Sequence, residues 1–106
     1  YTGTHDNNTT LGWWQAASAD QRQAIAKVID KASMDMPWDL ITLAEESIAQ
    51  LCILPCQDIL SLGKEARFNT PGTVGGNWCW RMKPGELTAE LAARLRHLCR
   101  QARRCN

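Results

Sequence analysis

Apolar positions recur at helical spacing in three stretches of the chain and form one unbroken run between two of them. Ile25, Val28 and Ile29 mark the first stripe, with Lys27 and Asp30 off it. Ser18 and Gln21 stand three residues apart just before it, the spacing of a capping box, and the helix is expected to end near Ala32. Pro37 suits the first position of a second helix, whose stripe is Trp38, Ile41, Ala44, Ile48 and Leu51. Asp39 is placed to favour the positive N-terminal end of its dipole. Thr88 opens a last helix, which carries Leu91, Leu95, Leu98, Cys99 and Ala102 on one face and Arg96, Arg100 and Arg103 on another. A shorter helix is expected over Thr9 to Ala16.

Leu51 to Leu54 is apolar at every position and is followed by Pro55, which reads as a strand buried on both faces. Tyr1 to Thr4 is β-prone and reads as the end of another strand. His5-Asp6-Asn7-Asn8 after it is a turn, because Asx side chains bend the backbone. Ile59 to Leu62 is a single turn stopped by Gly63. Pro71-Gly72, Gly75-Gly76 and Pro84-Gly85 make residues 64 to 87 one long loop, a length usually reserved for function. The order is βαβα, an α/β chain with a right-handed crossover and two short parallel strands. Two strands cannot bury a sheet, so further sequence is expected to complete it. Their exposed edges predict self-association of the isolated chain.

At 106 residues the chain is one domain at most, and it opens at Tyr1 rather than Met, which suggests a piece of a longer polypeptide. The apolar fraction of 44% and the formal charge of +1 exclude a disordered tail and a strongly basic nucleic-acid module. No apolar run approaches the ~20 residues needed to span a bilayer, so no membrane contact is expected. Charge is uneven, −5 over residues 1–62 and +6 over 63–106, as for two faces in different surroundings. The five cysteines, Cys52, Cys56, Cys79, Cys99 and Cys105, form no C-x-x-C pair, and Cys52-x-x-x-Cys56 has no second ligand pair. They read as reduced structural thiols, with Cys52 and Cys99 buried, and neither metal nor cofactor is expected. Reduced thiols point to the cytoplasm, a plastid being the alternative.

Gly3-Thr4-His5-Asp6-Asn7 and Thr9-Thr10-Leu11-Gly12-Trp13-Trp14 resemble a stretch of the 4-α-glucanotransferases, also called amylomaltases or disproportionating enzymes. So do Pro37-Trp38-Asp39-Leu40-Ile41 and Pro55-Cys56-Gln57-Asp58-Ile59-Leu60. The last blocks are Ala66-Arg67-Phe68-Asn69-Thr70-Pro71-Gly72-Thr73 and Gly76-Asn77-Trp78-Cys79-Trp80-Arg81. They stand in the family's order and spacing. The departures are Phe68, where the family usually has Met, and Asn8, where it usually has an acidic residue. The resemblance implies a (β/α)8 barrel, of which residues 1–106 are the C-terminal segment, from seventh strand to last helix. It implies transfer of α-1,4-glucan chains, such as maltooligosaccharides, between acceptors by a retaining mechanism.

In such barrels catalytic groups sit at the C-terminal ends of strands. By resemblance Asp6 is the carboxylate that stabilises the transition state, and His5 contacts a sugar hydroxyl beside it. From the residues alone, Asp6 is an ordinary turn residue. Retaining chemistry also needs a nucleophile and an acid/base about 5 Å apart, and both are expected upstream of Tyr1. Asn69, Pro71 and Gly72 form the tip of the long loop, over the glucan cleft by resemblance, or a plain turn. Trp13 follows the catalytic loop and is a further candidate for substrate contact. Trp78 and Trp80 either stack on glucose or pack inward on an edge strand, and packing is favoured. Arg81 is expected in a buried ion pair with Asp58 or Asp39. Two competing functions are a stand-alone α-glucan-binding module using Trp13, Trp78 and Trp80, and an Arg-rich helix contacting anionic polymers. The near-zero net charge speaks against the second.

Overall fold

The computed structural model describes residues 1–105 and is helical: α1 (Thr10–Ala16), α2 (Ala19–Ile29), α3 (Trp38–Glu45), α4 (Cys56–Ile59), a 3-10 turn (Lys64–Ala66) and α5 (Ala89–Gln101). Local sequence accounts for most of the helix starts. Thr9 Oγ1 accepts the Gly12 N–H and opens α1. Ser18 and Gln21 close the expected capping box in both directions. Thr88 Oγ1 accepts the Leu91 N–H at the head of α5. Pro37 is the N-cap of α3, so the helix begins at Trp38, one residue later than expected, and a cis bond joins Met36 to Pro37.

The α/β architecture with two parallel strands is overturned: among the described residues there is no strand. A strand exists through ladder hydrogen bonds, and neither expected segment makes them. Thr4 instead gives its N–H to Asn7 Oδ1 at 2.7 Å, and its carbonyl accepts the Asn7 N–H at 3.1 Å. Leu51 to Leu54 is irregular rather than a buried strand, with Leu51 72% and Ile53 59% exposed. An unbroken apolar run marks a liking for an apolar neighbour, but it supplies no backbone partner. The strand-edge argument for self-association falls with the strands.

The core lies where α3, α4 and α5 meet. Trp38, Ile41 and Leu98 are buried together, with Leu54, Ile59, Leu91 and Leu95 packed around them. The second predicted stripe is right for two turns and then fails. The helix α3 ends at Glu45, leaving Ile48 and Leu51 exposed. Arg104 holds the chain just past the helix. Its guanidinium donates to the carbonyl of Glu45 (2.6 Å), an acceptor that a helix end leaves open, and to those of Ala49 (2.9 Å) and Ser47 (3.3 Å) beyond it. Arg104 Nε also lies 2.9 Å from Glu45 Oε2. That N–H points at the Glu45 carbonyl, so Oε2 has charge contact without a hydrogen bond. Arg96 and Arg100 on α5, and Arg103 just after it, are exposed. Arg94 lies over the Trp38 ring at 3.9 Å and pairs with Asp35 at 2.8 Å.

Two further expectations need correction. Arg81 is exposed, and its expected partners are held by others. Asp39 takes Lys31 Nζ at 2.7 Å and the Asp35 N–H, while Asp58 takes Thr2 and Thr10. All five cysteines are free, but Cys52 and Cys99 are half-buried rather than buried. Loss of water nonetheless pushes both thiols up from their ordinary value, and the nearby Glu45 carboxylate adds to the rise.

A raised thiol holds less thiolate at neutral pH, and thiolate is the reactive form. Exposed Cys79 and Cys105 should therefore label first with a thiol reagent. Labelling of Cys52 and Cys99 should keep accelerating above the pH at which an ordinary thiol ionises, as followed by peptide mass analysis. Truncating Ile41, which has no exposed surface, should cost about 2 to 5 kcal/mol in urea unfolding of Ile41→Ala.

Candidate glucan-contacting site

The loop between the first residues and α1 is shaped by its own polar side chains. Asn7 Oδ1 accepts from both the N–H and the hydroxyl of Thr4, at 2.7 and 3.1 Å. Asn8 Oδ1 accepts the Thr9 N–H at 2.8 Å. A Cβ at Gly12 would fall 2.5 Å from Asn8 Oδ1, so a side chain there would have to displace the Asn8 amide. Asp6 stands at the apex with a half-exposed carboxylate, and His5 Nε2 lies 3.4 Å from its Oδ2.

The second wall comes from the segment after the 3-10 turn. Asn69 Nδ2 donates to Asp6 Oδ1 at 2.7 Å. Arg67 ties the two walls together, with Nη2 donating to the Asp6 carbonyl at 2.8 Å and Nε to the Asn69 carbonyl at 2.9 Å. One planar guanidinium thus spans both backbones in a fixed fork. Trp78 has φ +61° and gives its N–H to the Phe68 carbonyl at 2.7 Å. Its ring meets Phe68 edge-on at 4.9 Å and His5 at 5.2 Å. With 59% of its surface exposed, Trp78 is an open aromatic beside His5 and not the inward-packed residue the sequence favoured.

The six expected site residues divide evenly. His5, Asp6 and Asn69 converge. Pro71 and Gly72 are the central pair of an exposed turn, where Gly72 has φ +81° and the Thr73 N–H reaches the Thr70 carbonyl at 3.2 Å. Trp13 belongs to α1 and lines a separate cavity of about 350 Å3 with Thr2, Asn7, Asn8, Thr10 and Leu40. A larger cavity of about 440 Å3 has His5, Arg67 and Phe68 on its wall with Tyr1 and Ile53, and Asp6 is outside its lining. Arg67 is the participant that sequence reasoning passed over. It stood inside a recognised block, but nothing in its spacing says that its guanidinium would join two loops. The described residues contain no group of His, Cys, Asp and Glu able to hold a metal ion.

Residues 1–88 match the 4-α-glucanotransferase family. The chain belongs to that family. It is 44% identical to the 4-α-glucanotransferase of Thermus thermophilus, an alignment covering 98% of this chain and 22% of that protein. It is 47% identical to the Synechocystis 4-α-glucanotransferase, over 90% of this chain and 19% of the relative. Among solved structures, amylomaltase from Streptococcus agalactiae in complex with acarbose superposes with a TM-score of 0.93 at 30% identity, over 100% of this chain and 22% of that one. The chain therefore spans about a fifth of the length of these glucanotransferases. Some of the other matching 4-α-glucanotransferases are chloroplastic or amyloplastic plant proteins, among them that of Oryza sativa at 47% identity over 77% of this chain and 14% of that protein. No helix among the described residues is long and apolar enough to cross a membrane.

The Arg67 fork makes a prediction that does not depend on activity. In Arg67→Lys a point charge replaces the fork and can serve only one wall at a time. A hydrogen bond to a charged group is worth about 1.5 to 3 kcal/mol. Amide exchange at Thr70 and Trp78, whose N–H groups bond within the second wall, should quicken about tenfold or more. The amides of α5 should keep their protection.

Proposed function

We propose that this chain supplies the transition-state-stabilising carboxylate, Asp6, to a 4-α-glucanotransferase that moves α-1,4-glucan segments between oligosaccharide acceptors with retention. The observation that carries the reading is the Asp6 cluster, a half-exposed carboxylate oriented by Asn69 and flanked by His5, whose ring in turn meets Trp78. An ionised carboxylate so placed can accept sugar hydroxyls and face the positive charge that develops on the transferred sugar. His5 contacts a hydroxyl of the same sugar. The exposed Trp78 ring offers a flat apolar face to a pyranose, and Asn69 offers its amide. Pro71 and Gly72 present the loop tip towards the glucan, and Trp13 contacts it from α1.

Support for the substrate class comes from family membership and from the amylomaltase neighbour, whose structure holds acarbose. The residues form the C-terminal segment of the catalytic unit. The nucleophile and the acid/base belong to the remainder of the polypeptide, and the protein works in the cytoplasm or a plastid.

Asp6→Asn keeps the shape and removes the charge. In the polypeptide that carries all three carboxyl groups, turnover should fall by roughly 10² to 10³, equivalent to about 3 to 4 kcal/mol. KM should shift only a few-fold, because the contact strengthens in the transition state. Steady-state transfer between maltooligosaccharides measures both. Turnover within a few-fold of wild type would leave Asp6 as a turn residue. Residues 1–106 alone should transfer nothing.

A further inference from the structure

Asp58 lies 52 positions from Asp6 and is only 2% exposed, yet it governs the Asp6 loop. Its Oδ2 accepts the Thr2 hydroxyl at 2.6 Å and the Thr10 hydroxyl at 2.8 Å, and its Oδ1 accepts the Thr10 N–H at 2.8 Å. Thr2 precedes the His5-Asp6 turn and Thr10 follows it. One buried carboxylate therefore holds both feet of the loop. Hydrogen bonds to a charged acceptor are short and strong, and a buried carboxylate without them would be costly, so this arrangement has little freedom to relax.

The same single turn of helix reaches the other wall. Gln57 Nε2 lies 3.4 Å from the Ala66 carbonyl, at the start of the segment that carries Arg67 and Asn69. The helix α4 is thus the shared reference for both walls of the site. We infer that Asp58 is a positioning residue, which sets Asp6 in register with Asn69 without touching the sugar. The inference rests on the reading of Asp6 as the stabilising carboxylate.

A displacement of about 1 Å can cost 10²-fold in turnover. In the full-length enzyme Asp58→Ala should lower kcat by roughly that factor, with KM changed only a few-fold. Applied to the Asp6→Asn protein, the same substitution should lower kcat by less than about threefold, because residues acting as one unit are not additive. Equal losses in both backgrounds would overturn the inference and reduce Asp58 to general stability. Asp6→Asn alone tests the parent reading: wild-type turnover there removes Asp6 from catalysis and Asp58's role with it. A normal Asp6→Asn loss with additive Asp58→Ala sinks only the present inference.

A milder pair guards against misfolding of Asp58→Ala. Thr2→Val removes one foot and should lower kcat by roughly tenfold, about the value of one hydrogen bond to a charged group. Thr2→Ser restores the hydroxyl and should return kcat to within twofold of wild type, about the precision of additivity. A loss in Thr2→Ser as deep as in Thr2→Val would overturn the inference.

Discussion

The carboxylate of Asp58 is the constraint on which the arrangement of the site depends. It draws together three parts of the chain: the first residues, the start of α1 and the turn of α4. The apolar core does not do this. Trp38, Ile41 and Leu98 join α3 to α5 and leave the His5-Asp6 loop outside. Burial is non-directional and sets distances loosely, whereas three hydrogen bonds to one carboxylate fix direction as well. The chain thus divides its labour between an apolar cluster that holds helices and polar ties that hold the loops.

Arg67 and Arg104 extend the same principle. Each guanidinium reaches two or more backbone carbonyls, Arg67 between the two walls and Arg104 over the end of α3 and the residues after it. Arginine suits this use because its donors stand in a rigid plane and remain charged at any relevant pH. Segments without a ladder or helix must place their backbone groups elsewhere, and here much of that duty falls on two side chains.

The helices were legible in the sequence because their signals are local. Ser18 and Gln21, Thr88, and the spacing of Leu91, Leu95 and Leu98 each act within four residues. The strands were not legible, because an apolar run such as Leu51 to Leu54 reports a preference and not a partner. The site was partly legible. His5, Asp6 and Asn69 stood in motifs of the 4-α-glucanotransferase family and do converge. Arg67 and Asp58 act across 61 and 48 positions, and no spacing rule reaches so far. Trp78 was misjudged for a related reason: alternation with Trp80 suggested a strand, but its positive φ turns the ring out beside His5.

Two readings of Asp6 that compete in the sequence are reconciled by its neighbour. A carboxylate in His5-Asp6-Asn7-Asn8 can close the turn or face a ligand, and one geometry rarely allows both. In this loop Asn7 closes the turn, since its Oδ1 takes the Thr4 N–H and the Thr4 hydroxyl. Asn8 follows with the Thr9 N–H, against a Gly12 that leaves room for it. The local backbone donors at those positions are thereby satisfied without Asp6. Its N–H turns to the Thr4 hydroxyl and its carbonyl to Arg67, so the backbone of Asp6 is held while the carboxylate meets Asn69 and His5 at the surface. The two amides that follow Asp6 do the structural duty, which leaves its carboxylate fixed at its root and open at its tip.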